Sequence, residues 1–243
     1  MIIFAVLTIA FFIGKYLITK PSYIRIMIGV YVTIILISQL YSNLTLLEAT
    51  CKGNSNFGMA VLVTLVPWVV IFGSIQVMLM VFPSWKRPFS NTFGYGIAKL
   101  AGVNSVLFKI LKPPIAAGDN KLKKTLHDIY SNPALFINEI TPANFDDFVR
   151  NSSFMFAPNA SRSPAMAQFR NIIRAKELVS EFIWYLLSGL LVTTVSYNAI
   201  VNSNCSNSVK EMKKRHDEYE VEVKKKQEEE KSAPPQKVYY IRD

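Results

Sequence analysis

An all-α integral membrane protein with about four transmembrane helices is the fold class this sequence predicts, and three observations predict it. Between Lys52 and Lys86 no charged side chain occurs for 33 residues, and the centre of that stretch, Met59 to Phe82, is almost wholly apolar. Two more charge-free stretches run from Ile26 to Leu47 and from Phe182 to Val209. Apolar residues make up 51% of the chain and arrive in blocks, the mark of a lipid solvent. A helix needs about 20 apolar residues to cross about 30 Å of hydrocarbon, because lipid offers no partner to an unpaired backbone N–H or C=O.

The elements follow in order. Met1–Gly14 is apolar up to Lys15, and with a snorkelling lysine it reaches Ile18 and just spans. A cleaved signal peptide competes with that reading, although the segment lacks a basic start and a small-x-small cleavage site; a helix lying along the interface is the third option. The next apolar cores fit helices at Ile24–Tyr41 and Met59–Phe82, closing a first region, 1–82, of three spans with short loops. Residues 83–181 form a basic, helical peripheral domain, 182–201 a fourth span, and 202–243 a charged arm built on a long C-terminal helix.

Charge orients this arrangement. The net charge is +10, and Pro83 to Glu181 holds 13 basic and seven acidic residues, whereas the tail after Val209 holds ten and nine. Positive charge beside spans is normally topological, so nucleic acid is not expected as a partner. Near the spans, the Lys15–Arg25 hairpin and the central segment carry ten basic residues against five on the opposite side. The central segment is therefore expected to be cytoplasmic. The third and fourth helices both cross, so the 42–58 loop and the tail emerge on one side, and Cys51 and Cys205, the only cysteines, lie at the same depth. An oxidising compartment allows a disulfide between them; a reducing one leaves two thiols. Four Asn-x-Ser/Thr sequons, at Asn43, Asn151, Asn159 and Asn204, are short enough to arise by chance and are not assigned.

Within the peripheral domain, Trp85, Lys86 and Arg87 follow the third span as an aromatic and two cations, an interface anchor. Phe93, Ile97, Leu100, Val103, Leu107, Ile110 and Leu111 then recur every three to four residues, a stripe expected to lie on the membrane surface, with a soluble core as the alternative. Lys121–Tyr130 is read as a short helix. Thr141-Pro142 and Ser163-Pro164 are helix starts, with Asp146 and Asp147 placed to suit the first helix's dipole rather than catalysis. From Ala165 no proline interrupts until Pro234, which predicts one continuous helix through the last span and beyond. Its distal part carries a stripe of Val209, Met212, His216, Tyr219 and Val223, and the pairs Glu211–Arg215 and Glu222–Lys226. After Ser232-Ala-Pro-Pro, the extended tetrad Val238, Tyr239, Tyr240 and Ile241 either frays or docks on a partner by strand addition or in a pocket.

Motifs for chemistry are missing: no HExxH, CxxC, GxSxG or phosphate loop occurs, and His127 and His216 are the only histidines. No enzymatic activity, cofactor or metal is expected. The interiors of the three longer spans hold no acidic or basic side chain, which disfavours a coupled carrier. Pro67 and Gly73 predict a kink in the third span. The runner-up function is a channel or carrier subunit of a cellular organelle membrane, and a homo-oligomer could form such a channel without coupling.

At Trp85-Lys-Arg-Pro-Phe-Ser-Asn-Thr-Phe-Gly-Tyr and again at Thr141-Pro-Ala-Asn-Phe, the chain resembles multi-span virion membrane proteins of large icosahedral nucleocytoplasmic DNA viruses, over roughly Tyr41 to Val201. That resemblance implies a structural protein, a membrane-anchored minor capsid component in the virion internal membrane, derived from the endoplasmic reticulum during assembly. It also implies other capsid or membrane proteins as partners beside the lipid bilayer. The short first span and the long arm have no counterpart in that group.

Overall fold

A computed structural model describes residues 2–51, 57–116, 119–203, 205 and 209–232. Among these residues the secondary structure is helical, with one isolated bridge between Leu111 and Phe156 and no strand. Helix α1 is Ile2–Leu17, α2 is Pro21–Thr50, and α3 is Phe57–Val81. A helical run over 83–100, α4, leads through Gly102 into α5, Val103–Ile110. Short helices α6 (Asn120–Ser131), α7 (Ala134–Ile137) and α8 (Phe145–Asn151) precede the 38-residue α9, Pro164–Val201, and α10, Val209–Ser232.

Helices α2, α3 and α9 are long and apolar enough to cross a membrane; α1 is a shorter apolar helix. Lys20 at the N-cap is extended and Pro21 fills the first helical position, where its missing N–H costs nothing. The buried residues of α2 are Tyr31, Ile35, Gln39, Asn43 and Leu47, one every four positions. Such a narrow seam touches protein on one side only, and Ile37, Ile34 and Val30 lie exposed around it. In α3, Pro67 removes one N–H from the ladder, and the six residues Trp68–Gly73 rewind as a π-turn rather than a sharp break.

The helices hold together through small and polar groups. Ser188, Gly189 and Ser196 lie on the buried face of α9 and let neighbouring backbones approach. Ser196 Oγ donates to the Val63 carbonyl at 2.7 Å, and Asn43 Nδ2 donates to Thr64 Oγ1 at 2.8 Å. The Asn43 sequon is thus engaged between helices. An aromatic cluster of Phe4, Phe11, Tyr31, Trp68, Phe72 and Tyr185 fills the bundle.

Helix α1 runs antiparallel to α9. Phe4 fits over Gly189, where a Cβ would stand 2.0 Å from the ring, while Lys15 pairs with Glu181 at 2.5 Å. With 16 residues it is about 24 Å long. It reaches only to the level of Gly189, leaving about 18 Å of α9 to be covered by α2 and α3. Three helices are therefore of spanning length, and α1 is a shorter apolar helix packed beside them.

The segment 83–163 wraps the N-terminal half of α9 around a second core that includes Val103, Leu107, Ile110, Phe136, Phe145 and Phe169. The stripe expected on the membrane surface divides here. Phe93, Ile97 and Leu100 are exposed, but Val103, Leu107, Ile110 and Leu111 are buried in the core. The reason is the corner at Gly102, whose φ of +78° is left-handed and turns α5 away from α4. Lys112 N–H donates to the Met155 carbonyl and Ala157 N–H to the Ile110 carbonyl, tying the two flanks of the domain.

Three helix boundaries differ from expectation. Helix α2 runs on to Thr50, nine residues past Tyr41, so 42–50 of the expected 42–58 loop is helical. Helix α8 begins at Phe145, not after Pro142, because Thr141 and Asn144 exchange hydrogen bonds through their side chains and delay the first turn. The continuous C-terminal helix is interrupted: α9 ends at Val201 with Asn202 as its cap, and α10 starts at Val209. No proline is involved: Ser203 Oγ donates to the Ile200 carbonyl at 2.7 Å, so a local side chain takes a backbone acceptor at the helix end. Ser163 does cap α9, accepting from Met166 N–H.

Candidate interfacial site

Two polar ends bound the apolar bundle. At one end Cys51 and Cys205 form a disulfide, with Cα atoms 5.4 Å apart across a sequence separation of 154. Helix α2 ends there and α9 has just ended, so the bridge ties the two helix termini beside Leu47, Ala60 and Ile200.

The other end carries the charge. Trp85 follows α3 directly and stacks with Trp184 of α9 at 6.3 Å between centroids; Trp184 Nε1 donates to the Trp85 carbonyl. Ser180 Oγ donates to the Lys86 carbonyl at 2.6 Å, and Lys86 pairs with Glu177 at 3.4 Å. Arg174 donates to the carbonyls of Lys15 and Ile18, satisfying orphan acceptors at the end of α1. Glu177, Glu181, Arg174 and Trp184 thus join Trp85 and Lys86 in one belt around α9, whereas the sequence pattern marks only Trp85, Lys86 and Arg87. The available signal was the run of charges that stops just before Phe182.

Lys176 is the unusual member. It is 1% exposed, the largest departure from the rule that lysines stay outside. Its Nζ donates to the Ile137 carbonyl at 3.0 Å and to Asn91 Oδ1 at 3.3 Å, and among the described residues no carboxylate pairs with it. Burial pulls its pKa down to about 8, against a partial restoring field from Glu177 and Glu139 and with help from the nearby Arg87 cation. Gly94 is required beside it, since a Cβ there would stand 2.4 Å from the Lys176 carbonyl. A cavity of about 420 Å³ opens here, lined by Lys176, Lys86, Arg87, Glu177, Asn91 and Asn138 among others.

Away from this belt, Asp146 pairs with Arg170, whose hydrogen bond holds the carboxyl below its ordinary pKa, and Asp147 pairs with Arg150. His127 is exposed, and His216 lies 3.6 Å from Glu220 on α10. Glu222 and Lys226 pair at 3.0 Å; the Glu211–Arg215 side chains and the tetrad Val238, Tyr239, Tyr240 and Ile241 lie outside the described residues. No group of three or more potential metal ligands occurs among the described residues. Comparison with protein-family models, curated proteins and solved structures finds no match.

Proposed function

We propose that this chain is an integral membrane scaffold: α2, α3 and α9 cross a bilayer, the 83–163 domain sits against one leaflet, and α10 projects from the other. One observation carries the reading. Ile37, Val69, Val70, Met80 and Leu191, all at least half exposed, put apolar surface on the outward faces of the three long helices, between an end lined with Trp and Lys and an end closed by a disulfide. Water would not tolerate such a surface on a monomer; hydrocarbon is its natural solvent. The basic end then faces the cytosol and the disulfide an oxidising compartment. In its specific form, supported by the resemblance at Trp85–Tyr95 and Thr141–Phe145, the scaffold anchors or organises a viral capsid on an internal membrane, with the arm or the basic domain meeting the shell.

Carbonate extraction and protease protection test this. The chain is expected to stay in the pellet at high pH, with Lys121–Lys124 and Lys224–Lys226 cleaved from opposite faces of sealed vesicles. Release by carbonate, or cleavage of both from one face, overturns the crossing. Cross-linking in assembled particles tests the capsid contact, and ion flux through reconstituted liposomes would replace the scaffold by a channel.

A further inference from the structure

Lys176, Arg87 and Lys86 meet in the cavity at the base of α9, and Glu177 is the one carboxylate lining it. That carboxylate is already committed: one oxygen is 3.4 Å from the Lys86 ammonium and the other accepts from Ser90 Oγ at 3.4 Å. The Arg87 guanidinium has no hydrogen-bond or ion-pair partner among the described residues, and its field bears on Lys176. Two cations thus share one cavity whose lining carboxylate is engaged elsewhere, with only a partial offset from Glu177 and Glu139. An ammonium has three N–H donors, and Lys176 uses two. Asn138 contributes the complementary defect, a buried Oδ1 with no donor.

We propose that this cavity binds the phosphate of an anionic lipid whose headgroup also carries hydroxyls, as in phosphatidylinositol, with Lys176 and Arg87 holding the phosphate and Asn138 accepting from a headgroup hydroxyl. A guanidinium and an ammonium are the paired donors phosphate oxygens favour. The orphaned acceptor favours a hydroxyl-bearing headgroup over a bare or trimethylammonium one. Depth agrees: the cavity wall includes Pro83 and Ser84, directly beyond α3, and Lys176 precedes the interfacial Trp184 by eight residues, about 12 Å along α9. Its volume lies in the range of small-ligand sites. The lipid source rests on the membrane reading above, whereas the phosphate chemistry does not.

The test uses the full chain in detergent, titrated with short-chain phosphatidylinositol, phosphatidylcholine of equal acyl length, and free myo-inositol 1-phosphate. Phosphatidylinositol is expected to bind at least about tenfold more tightly than phosphatidylcholine. Arg87→Glu, at an exposed position, and Lys176→Met are each expected to remove that preference. Equal affinity for the two lipids, or an unchanged preference in Arg87→Glu, overturns the site even if Lys176→Met fails to fold. Free inositol phosphate binding as tightly as the lipid overturns the lipid source. Carbonate resistance with equal lipid affinities rejects this site and leaves the membrane reading standing; carbonate release with tight inositol phosphate binding does the reverse.

Discussion

The two halves of α9 are one unbroken helix with contrasting surfaces, which the proposed membrane reading places in two solvents. In the N-terminal half, Met166, Phe169, Ile172 and Ile173 are buried among the 83–163 helices, and the exposed positions include the polar Gln168, Arg170 and Asn171. In the C-terminal half, small residues such as Ser188, Gly189 and Ser196 are buried, and Leu187, Leu190, Leu191 and Val195 face outward. The amphipathic sense inverts at the Glu177–Glu181 belt. Burial of large apolar groups drives packing only where water is the competitor; in lipid, close approach and interhelical hydrogen bonds take over.

The strongest way to break this comparison is a pair of truncations. Phe169→Ala should destabilise the protein by about 3–5 kcal/mol, because its buried ring packs against Phe136 and Phe145 and leaves a cavity. Leu191→Ala, half exposed on the same helix, should cost less than about 0.5 kcal/mol. Equal losses on detergent unfolding curves would mean that both halves see the same environment. Next in size, Cys51→Ser with Cys205→Ser is expected to lower stability by about 2–4 kcal/mol, read as a reductant-sensitive midpoint in the wild type that the double variant lacks. That loss should loosen the apolar half and leave the 83–163 core in place.

A smaller effect marks the border itself. The Lys176 pKa is depressed from 10.5 to about 8, so between those values the unfolded chain holds a proton that the folded one has released. Stability should therefore rise with pH across that window, by about 3 kcal/mol, and stay flat below it. Lys176→Met should abolish the rise. An identical pH profile in the variant would place the buried ammonium elsewhere.

The charge-free runs made α2, α3 and α9 legible, because a stretch of lipid length without a single ion seldom occurs in a helix that meets water. The start signal at Ser163-Pro164 was equally plain. The end of α9 was hidden because Asn202 and its neighbours stop a helix by local competition rather than by a proline. The division of the 93–111 stripe was hidden in one glycine: the spacing is the same on either side of Gly102, and only its left-handed backbone sends the halves to different surroundings. Of the candidate site, Trp85, Lys86 and Arg87 could be marked from their place after α3. Lys176 could not, since a lysine before an apolar run reads as an ordinary flanking cation. Its burial depends on helices 85 and 39 residues away, which supply Asn91 and the Ile137 carbonyl.

Linking position 51 to position 205 closes a covalent ring that contains α3, the entire 83–163 domain and α9. A single nick anywhere inside that ring leaves both fragments attached, so a clipped molecule migrates as intact on a non-reducing gel and separates only when thiol is added. In the proposed topology, the bridge at one end keeps a chain severed at the other end assembled.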